Sequence, residues 1–343
     1  MTRTRHPLLK IAAVVTCLTV GLLSSSATAS ATSLTGAGST LVAPLEAYWA
    51  QGFEHQYGYS VTYASVGSGA GIAQISARTV DFGASDAPMT PTQAEGCKSC
   101  IQIPWALTAT GIGFNIQGVS RLRLTGPVLA DIYLGKITNW DSPAITKLNK
   151  GEKFPNLKIT PVFRSDGSGD TYAFTDYLSR VSSQWQSQVG NATSVSFPAG
   201  VGGKGNDGVT AVVSTTNGSL GYISASYIIA HGLTAAALRN AAGKYEYPNL
   251  KNISNAAASI KSVPANNEMH IVNPPKKYKI AYPLSTFTYA IVPTTAPQKR
   301  LLADWVYYAI TTGQQFGAQL DFAPIPRVVM HAATKSVQSL QQG

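Results

Sequence analysis

Three stretches of this chain place glycines and hydroxyl residues directly before a helical pattern of apolar residues. They are residues 36–41 (GAGSTL), 66–71 (VGSGAG) and 164–171 (RSDGSGDT). A Ser or Thr can cap a helix, Gly lets the backbone approach a ligand, and the first N–H groups of a helix are unpaired at the positive end of its dipole. Each stretch alone is compatible with ordinary capping, but together they predict three helix starts that could surround one small oxyanion.

A fourth stretch carries an acid into the same kind of loop. Residues 79–88 read TVDFGASDAP, so that Asp86 lies among small residues after an apolar strand. Asp86 could merely cap the turn before Pro88. Beside three anion-binding loops, however, we expect this carboxylate to have a role at the ligand.

The stricter nucleotide and catalytic motifs are missing from the sequence. Residues 200–205 (GVGGKG) have no Ser or Thr after the Gly-Lys pair, and the glycines at 36 and 38 lack the third glycine of a dinucleotide fingerprint. No His lies near Ser68, Ser168 or Asp86 in the sequence, and no G-x-S-x-G motif occurs. A phosphatase would need a nucleophile with a base, or a metal cluster. We therefore expect a protein that is not an enzyme and has no cofactor and no metal.

The N-terminus has the pattern of a secretory signal. A basic start is followed by an apolar run of 13 residues at 11–23 and by Ala-Ser-Ala at 29–31, which predicts a cleaved signal peptide over residues 1–31. A retained membrane anchor is the alternative, although the run is short for a bilayer. Cys17 lies inside the run and not at its end, so we expect no lipid anchor and a periplasmic or secreted protein.

Charge and cysteine content agree with an exported protein that binds no nucleic acid. The net charge of +10 falls to about +7 without residues 1–31, and no long Lys/Arg run or basic aromatic stripe occurs. Cys97 and Cys100 form a C-x-x-C pair, which in a cytosolic protein would suggest redox chemistry or half a zinc site. In an oxidising compartment a structural disulfide is the better interpretation.

Alternating strand and helix patterns predict an α/β architecture. Strands are expected at 59–65, 112–116, 159–163, 220–223 and 286–292. Leu41, Leu45, Trp49 and Phe53 recur every four residues and predict one buried helix face. The Pro- and Asn-rich stretch 245–275 is expected to be a connecting or surface segment.

Five motifs in a fixed order make the chain resemble the phosphate-binding proteins of the bacterial phosphate-specific ABC transporter, the PstS type. They are residues 34–40 (LTGAGST), 80–88 (VDFGASDAP), 131–140 (DIYLGKITNW), 164–169 (RSDGSG) and 202–208 (GGKGNDG). The resemblance implies a two-lobed α/β periplasmic-binding-protein fold of type II, with the ligand in the interdomain cleft. Lobe 1 would combine residues 32–108 and 281–343, and lobe 2 would be 109–280.

The resemblance also implies the ligand contacts, with Asp166 holding Arg164 by an ion pair. The phosphate-binding residues would be Ser39, Thr40, Leu41, Ser68, Asp86, Arg164, Ser168, Gly169 and Asp170. Many relatives have Phe at the Leu41 position, where only the backbone N–H is needed. At the Asp170 position many have a hydroxyl residue.

Two acids would decide which anion is bound. An ionised Asp86 can accept the proton of phosphate, whereas it would face an oxygen lone pair of sulfate, and an unpaired buried acceptor costs on the order of several kcal/mol. Asp170 could serve the helix dipole alone, or could favour the singly charged, doubly protonated form of phosphate.

The expected partners are inorganic phosphate and the permease subunits of an ABC transporter in the inner membrane, and we expect a monomer. Two alternatives remain within binding. The chain could bind a related oxyanion such as arsenate or sulfate, or it could be a secreted phosphate-binding protein that serves at the surface or in signalling.

Overall fold

A computed structural model describes residues 33–342 of the chain. The predicted signal peptide, residues 1–31, lies outside the described residues. The strands are β1 (Leu34–Gly38), β2 (Val61–Ser65), β3 (Phe82–Ser85), β4 (Cys100–Asn115), β5 (Arg123–Leu124), β6 (Thr160–Arg164), β7 (Val201–Gly203), β8 (Ser219–Ser224), β9 (Thr234–Ala235), β10 (Ala237–Arg239), β11 (Tyr245–Glu246) and β12 (Ser285–Pro293).

Helices follow most of the strands. They are α1 (Ala43–Tyr57), α2 (Ser68–Ser76), α3 (Pro91–Cys97), α4 (Gly126–Tyr133), α5 (Pro143–Thr146), α6 (Gly169–Val181), α7 (Ser183–Gln188), α8 (Gly205–Thr215), α9 (Ala225–Ala230), α10 (Leu250–Ala257), α11 (Lys299–Ile310) and α12 (Arg327–Gln342). Two short 3₁₀ helices, Thr312–Phe316 and Ala318–Leu320, lie between α11 and α12. This alternation confirms the predicted α/β class.

The main sheet has two halves that share one long strand. Its order is β2-β1-β3-β12-β4-β8-β6-β7, with β9 also paired to β4. Residues 100–109 of β4 pair with β12, and residues 110–115 pair with β8. We call β1, β2, β3, β12 and residues 100–109 the first half, and residues 110–115, β6, β7, β8 and β9 the second half. The chain crosses between them twice, side by side, where the Thr110 N–H donates to the Leu284 carbonyl at 3.0 Å.

Each half of the sheet is packed by its own group of large aromatic side chains. In the first half the ring centroids of Trp49 and Trp105 are 5.2 Å apart, and those of Phe53 and Trp305 are also 5.2 Å apart. In the second half Phe174 stacks on Tyr222 at 4.4 Å. Aromatic rings bury large apolar areas, so these groups stabilise each half beneath the loops that end its strands.

The prediction that residues 245–275 form only a connecting or surface segment is wrong. Residues 245–275 include α10, whose Ile253 and Ala256 are fully buried, so this stretch adds to the core. Ile253 and Ala256 are three residues apart and so share one helix face, a short pattern that the Asn and Pro residues obscured. Cys97 and Cys100 form a disulfide. Within residues 33–342, no helix is both long and apolar enough to cross a membrane.

Candidate functional site

The predicted site residues lie in loops that follow five strands. The loops after β1, β2 and β3 carry Ser39, Ser68 and Asp86, and those after β6 and β7 carry residues 164–170 and the start of α8. In α/β sheets the carboxyl ends of parallel strands are where ligands bind, because helix starts meet there. All nine predicted ligand residues are buried, including Arg164, whose exposed fraction is only 5%.

Asp86 is surrounded by hydroxyl groups of the first half. The Ser39 hydroxyl donates to both carboxylate oxygens of Asp86, at 2.6 and 2.7 Å. The Ser68 oxygen accepts the backbone N–H of Asp86 at 3.3 Å, and its hydroxyl is 3.5 Å from Asp86 Oδ2. These contacts fix the carboxylate at the centre of the site.

Arg164 is held between two carboxylates of the second half. Its Nε and Nη2 donate to the two oxygens of Asp166 at 2.8 and 2.5 Å, and its Nη1 donates to Asp170 Oδ2 at 2.9 Å. Asp170 Oδ1 accepts the Thr110 hydroxyl at 2.7 Å, while Asp170 Oδ2 also accepts the Asn206 amide at 2.8 Å. The guanidinium is therefore fixed in position and its charge is balanced from two sides.

Direct hydrogen bonds join the two halves at this site. The Gly169 N–H donates to Ser68 Oγ at 3.1 Å, and the Gly69 N–H donates to the Gly167 carbonyl at 2.9 Å. Gly169 lies so close to Asp86 that a Cβ atom placed on it would be 2.7 Å from the Asp86 Cα. The start of α6 thus meets the Asp86 loop with no room for a side chain.

Burial, charges and hydrogen bonds together shift the pKa values of the three carboxyl groups of the site. Burial and the nearby negative charge of Asp170 raise the pKa of Asp86 to about 7, against the hydrogen bond from Ser39 and the charge of Arg164. Burial likewise raises the pKa of Asp170, although Arg164, Thr110 and Asn206 favour its charged form. Partial burial alone would raise the pKa of Asp166, but its bonds to Arg164 outweigh burial and lower it.

Helix capping by hydroxyl groups occurs in only one of the three predicted stretches. Ser168 caps α6 by accepting the Thr171 N–H at 3.3 Å. The N-cap of α2 is Gly67, at a φ of 93°, and Ser68 is instead turned toward Asp86 and Gly169. Before α1, Ser39 Oγ accepts the Leu41 N–H at 3.0 Å and donates to Asp86. Ser68 therefore serves the site and not a helix end, whereas Ser39 contacts both Asp86 and the backbone just before α1.

Two residues of the site, Thr110 and Asn206, were missed by the sequence interpretation. Thr110 is an interior residue of β4, where threonine is common for reasons of β propensity alone. Asn206 lies in the 202–208 motif, but an Asn near a helix start is ordinary capping. Asn206 lies at the start of α8, directly after the glycine-rich strand β7. The three predicted stretches have the same arrangement, so this pattern could have pointed to Asn206.

The arrangement contains the kinds of group that bind a small oxyanion. It combines hydroxyl donors, helix-start N–H groups, one guanidinium and an acid that can accept a proton. Among the described residues, no group of three or more His, Cys, Asp or Glu side chains is placed to hold a metal ion.

The family comparison first defines the class of protein. A model of the PBP superfamily domain matches residues 24–312. The fold resembles that of PfluDING, a solved high-affinity periplasmic phosphate-binding protein, with a TM-score of 0.71 and 21% identity over 89% of this chain and 93% of that one. A phosphate ABC transporter substrate-binding protein from Clostridium perfringens gives a TM-score of 0.64 and 19% identity, over 86% of this chain and all of that one. The protein therefore belongs to the PBP superfamily and has the two-lobed α/β fold of its binding proteins.

Sequence relatives then define the family. The chain is 38% identical to the phosphate-binding protein PstS of Xylella fastidiosa (strain Temecula1) over 299 residues, which are 85% of this chain and 81% of that protein. It is 37% identical to PstS of Pasteurella multocida over 308 residues, 88% of this chain and 89% of that protein. The chain belongs to the PstS family of phosphate-binding proteins.

Proposed function

We propose that this protein captures inorganic phosphate outside the cytoplasm and delivers it to an ABC permease for import. The observation that carries the proposal is Asp86, a buried carboxylate that accepts the Ser39 hydroxyl and lies against Gly169 at the start of α6. Phosphate bears a proton near neutral pH, and a carboxylate can accept it, whereas the surrounding donors fit the other oxygens. The family membership and the chemistry of the site support the same ligand.

The ligand contacts proposed here come from both halves of the sheet. Thr40 and Ser68 supply hydroxyl groups from the first half, with the backbone N–H of Leu41, while Ser39 adjoins them and donates its one hydroxyl proton to Asp86. Arg164, Ser168, Gly169 and Asp170 supply donors from the second half, the last two through their backbone N–H groups at the start of α6. Because these residues are buried, phosphate enters only when the two lobes separate, and closing completes the set of donors.

Specificity over sulfate comes from the acceptor at Asp86. A site that binds a substrate proton through a buried acceptor rejects an analogue lacking that proton by about 10⁴–10⁵-fold. Asp170 adds a second acid beside the ligand and competes for Arg164, so we propose that it biases the site toward the singly charged form of phosphate.

The lobe boundaries, export and quaternary state belong to the same proposal. Lobe 1 is residues 32–108 with 281–343, and lobe 2 is 109–280. The change of strand partner in β4 between residues 109 and 110 and the adjacent crossing at Leu284 support this division. We also propose that residues 1–31 are cleaved, so that the mature protein begins at Thr32 and acts as a monomer without catalytic activity.

Isothermal titration calorimetry of the purified mature protein with phosphate, arsenate and sulfate tests the function. We expect phosphate to bind with a Kd of about 1 μM or tighter, arsenate to compete, and sulfate to be bound at least about 10³-fold more weakly. Sulfate binding as tight as phosphate, or no phosphate binding, would overturn the proposal.

A further inference from the structure

Asn206 is a buried residue whose hydrogen bonds connect the two halves of the sheet. Its Nδ2 donates to Thr40 Oγ1 and to Asp170 Oδ2, both at 2.8 Å, and its backbone N–H donates to the same Thr40 oxygen at 3.2 Å. Its Oδ1 accepts the backbone N–H of Ser224 at 2.8 Å. A backbone N–H can only donate, so this last bond fixes the orientation of the side-chain amide. It directs the two N–H groups of Nδ2 into the site.

The bonds from Asn206 determine what the Thr40 hydroxyl can do. A hydroxyl oxygen has two lone pairs and one proton. The backbone N–H and one Nδ2 N–H of Asn206 donate to the two lone pairs of Thr40 Oγ1, so only the hydroxyl proton of Thr40 is left for another partner. Asn206 thereby turns a group that could accept or donate into one that must donate, which is the form that an unprotonated phosphate oxygen requires.

The same amide also helps to hold the guanidinium of Arg164. Asp170 Oδ2 accepts from Asn206 and from Arg164 Nη1, so the position of the carboxylate depends on both donors. One side chain therefore connects a hydroxyl of the first half with the charged pair of the second half. This connection forms only when the two halves meet.

We propose that Asn206 is a positioning residue for phosphate, which orients the Thr40 proton toward the ligand and links Thr40 to Asp170 in the closed protein. The proposal rests on the proposed function, because it needs phosphate as the ligand. Its consequence is that removing the amide weakens phosphate binding and speeds phosphate release.

Phosphate titration of Asn206→Ala is the first test. Loss of the bonds to Thr40 and Asp170 should weaken phosphate binding by roughly 30- to 100-fold, mainly through faster dissociation in stopped-flow measurements. Asn252→Ala is the matched control, because Asn252 is also a buried Asn with two donated bonds, to Glu246 and to the Tyr247 carbonyl at 3.0 Å each, in α10. It should leave phosphate affinity unchanged.

A double-mutant cycle with Thr40→Val separates positioning from a general structural role. Val keeps the shape of Thr but has no hydroxyl to orient. If Asn206 acts through Thr40, Asn206→Ala should weaken binding much less in the Thr40→Val background than in the wild type. Independent effects that simply multiply would overturn the proposal.

Asn206→Asp keeps the inference testable if the alanine variant does not fold. Its carboxylate keeps the size of Asn and the acceptor for Ser224, but it cannot donate to Thr40 and lies beside Asp170. We expect a larger loss of phosphate affinity than for alanine, and affinity within threefold of the wild type in either folded variant would overturn the inference. Failure of the wild-type protein to bind phosphate would instead refute the proposed function itself.

Discussion

Replacing Asp86 with Asn should stabilise the ligand-free protein while it removes phosphate selectivity. Burial and Asp170 raise the pKa of Asp86 from 3.8 to about 7, which means that the folded protein holds this carboxyl group more easily in its neutral form. Raising the pKa from 3.8 to about 7 corresponds to roughly 4 kcal/mol at a pH above both values. Asn is uncharged and close in size, so Asp86→Asn should recover up to that amount at pH 8.

The sign of this effect depends on pH. Below pH 4 the carboxyl group is protonated in both the folded and the unfolded chain, so the variant and the wild type should be similarly stable. Between pH 4 and pH 7 the unfolded chain loses its proton first, and the folded wild-type protein becomes progressively less stable than the variant. The gain should be complete above about pH 7.

Urea unfolding at pH 4, 6 and 8 in phosphate-free buffer measures this difference. Asp81→Asn is the matched control, because Asp81 lies five residues away and accepts two bonds from Thr35, at 2.7 and 2.9 Å. This control should gain no stability. The explanation is wrong if Asp86→Asn is no more stable than the wild type at pH 8, or if its advantage is as large at pH 4.

Three further results are expected from the same site. Gly169→Ala should weaken phosphate binding at least about 100-fold, because the new Cβ would overlap Asp86 and keep the lobes apart. Gly96→Ala is the control, since a Cβ at Gly96 would meet open space. If calorimetry gives Gly169→Ala the phosphate affinity of the wild type, the steric argument is wrong. Sulfate affinity should rise by roughly tenfold or more from pH 8 to pH 5, because a protonated Asp86 can donate to sulfate. Direct sulfate titrations that give the same affinity at both pH values would exclude this role. Phosphate affinity should weaken as pH rises through the second ionisation of phosphate, and Asp170→Thr should flatten that dependence. If the variant keeps the pH profile of the wild type, Asp170 does not select the protonation state of the ligand.

The fold class and most of the candidate site could be predicted because they depend on local sequence. Glycine and hydroxyl residues before a helix, and an acid after a strand, are short patterns with direct physical consequences. They picked out the stretches that contain Ser39, Ser68 and Asp86 and the stretch at 164–171, whereas the individual ligand residues came from the resemblance to the PstS type. The alternation of strands and helices predicted the α/β class in the same way.

The missed features depend on contacts between distant parts of the chain. Ser68 does not cap α2 because it lies between the Asp86 and Gly169 N–H groups, which only the meeting of the two halves brings together. Asn206 and Thr110 gain their roles from Asp170, which lies 36 and 60 residues away in the sequence. Apart from the glycine-rich strand before Asn206, no local pattern points to these contacts.

The most direct test of the central claim is calorimetric titration of phosphate and sulfate into the wild type and Asp86→Asn at pH 8. The wild type should bind phosphate at least about 10³-fold more tightly than sulfate, whereas the variant should bind the two anions within about tenfold of each other, because its amide can donate to either. If Asp86→Asn keeps the wild-type preference for phosphate, Asp86 is not the group that recognises the ligand, and the account is wrong.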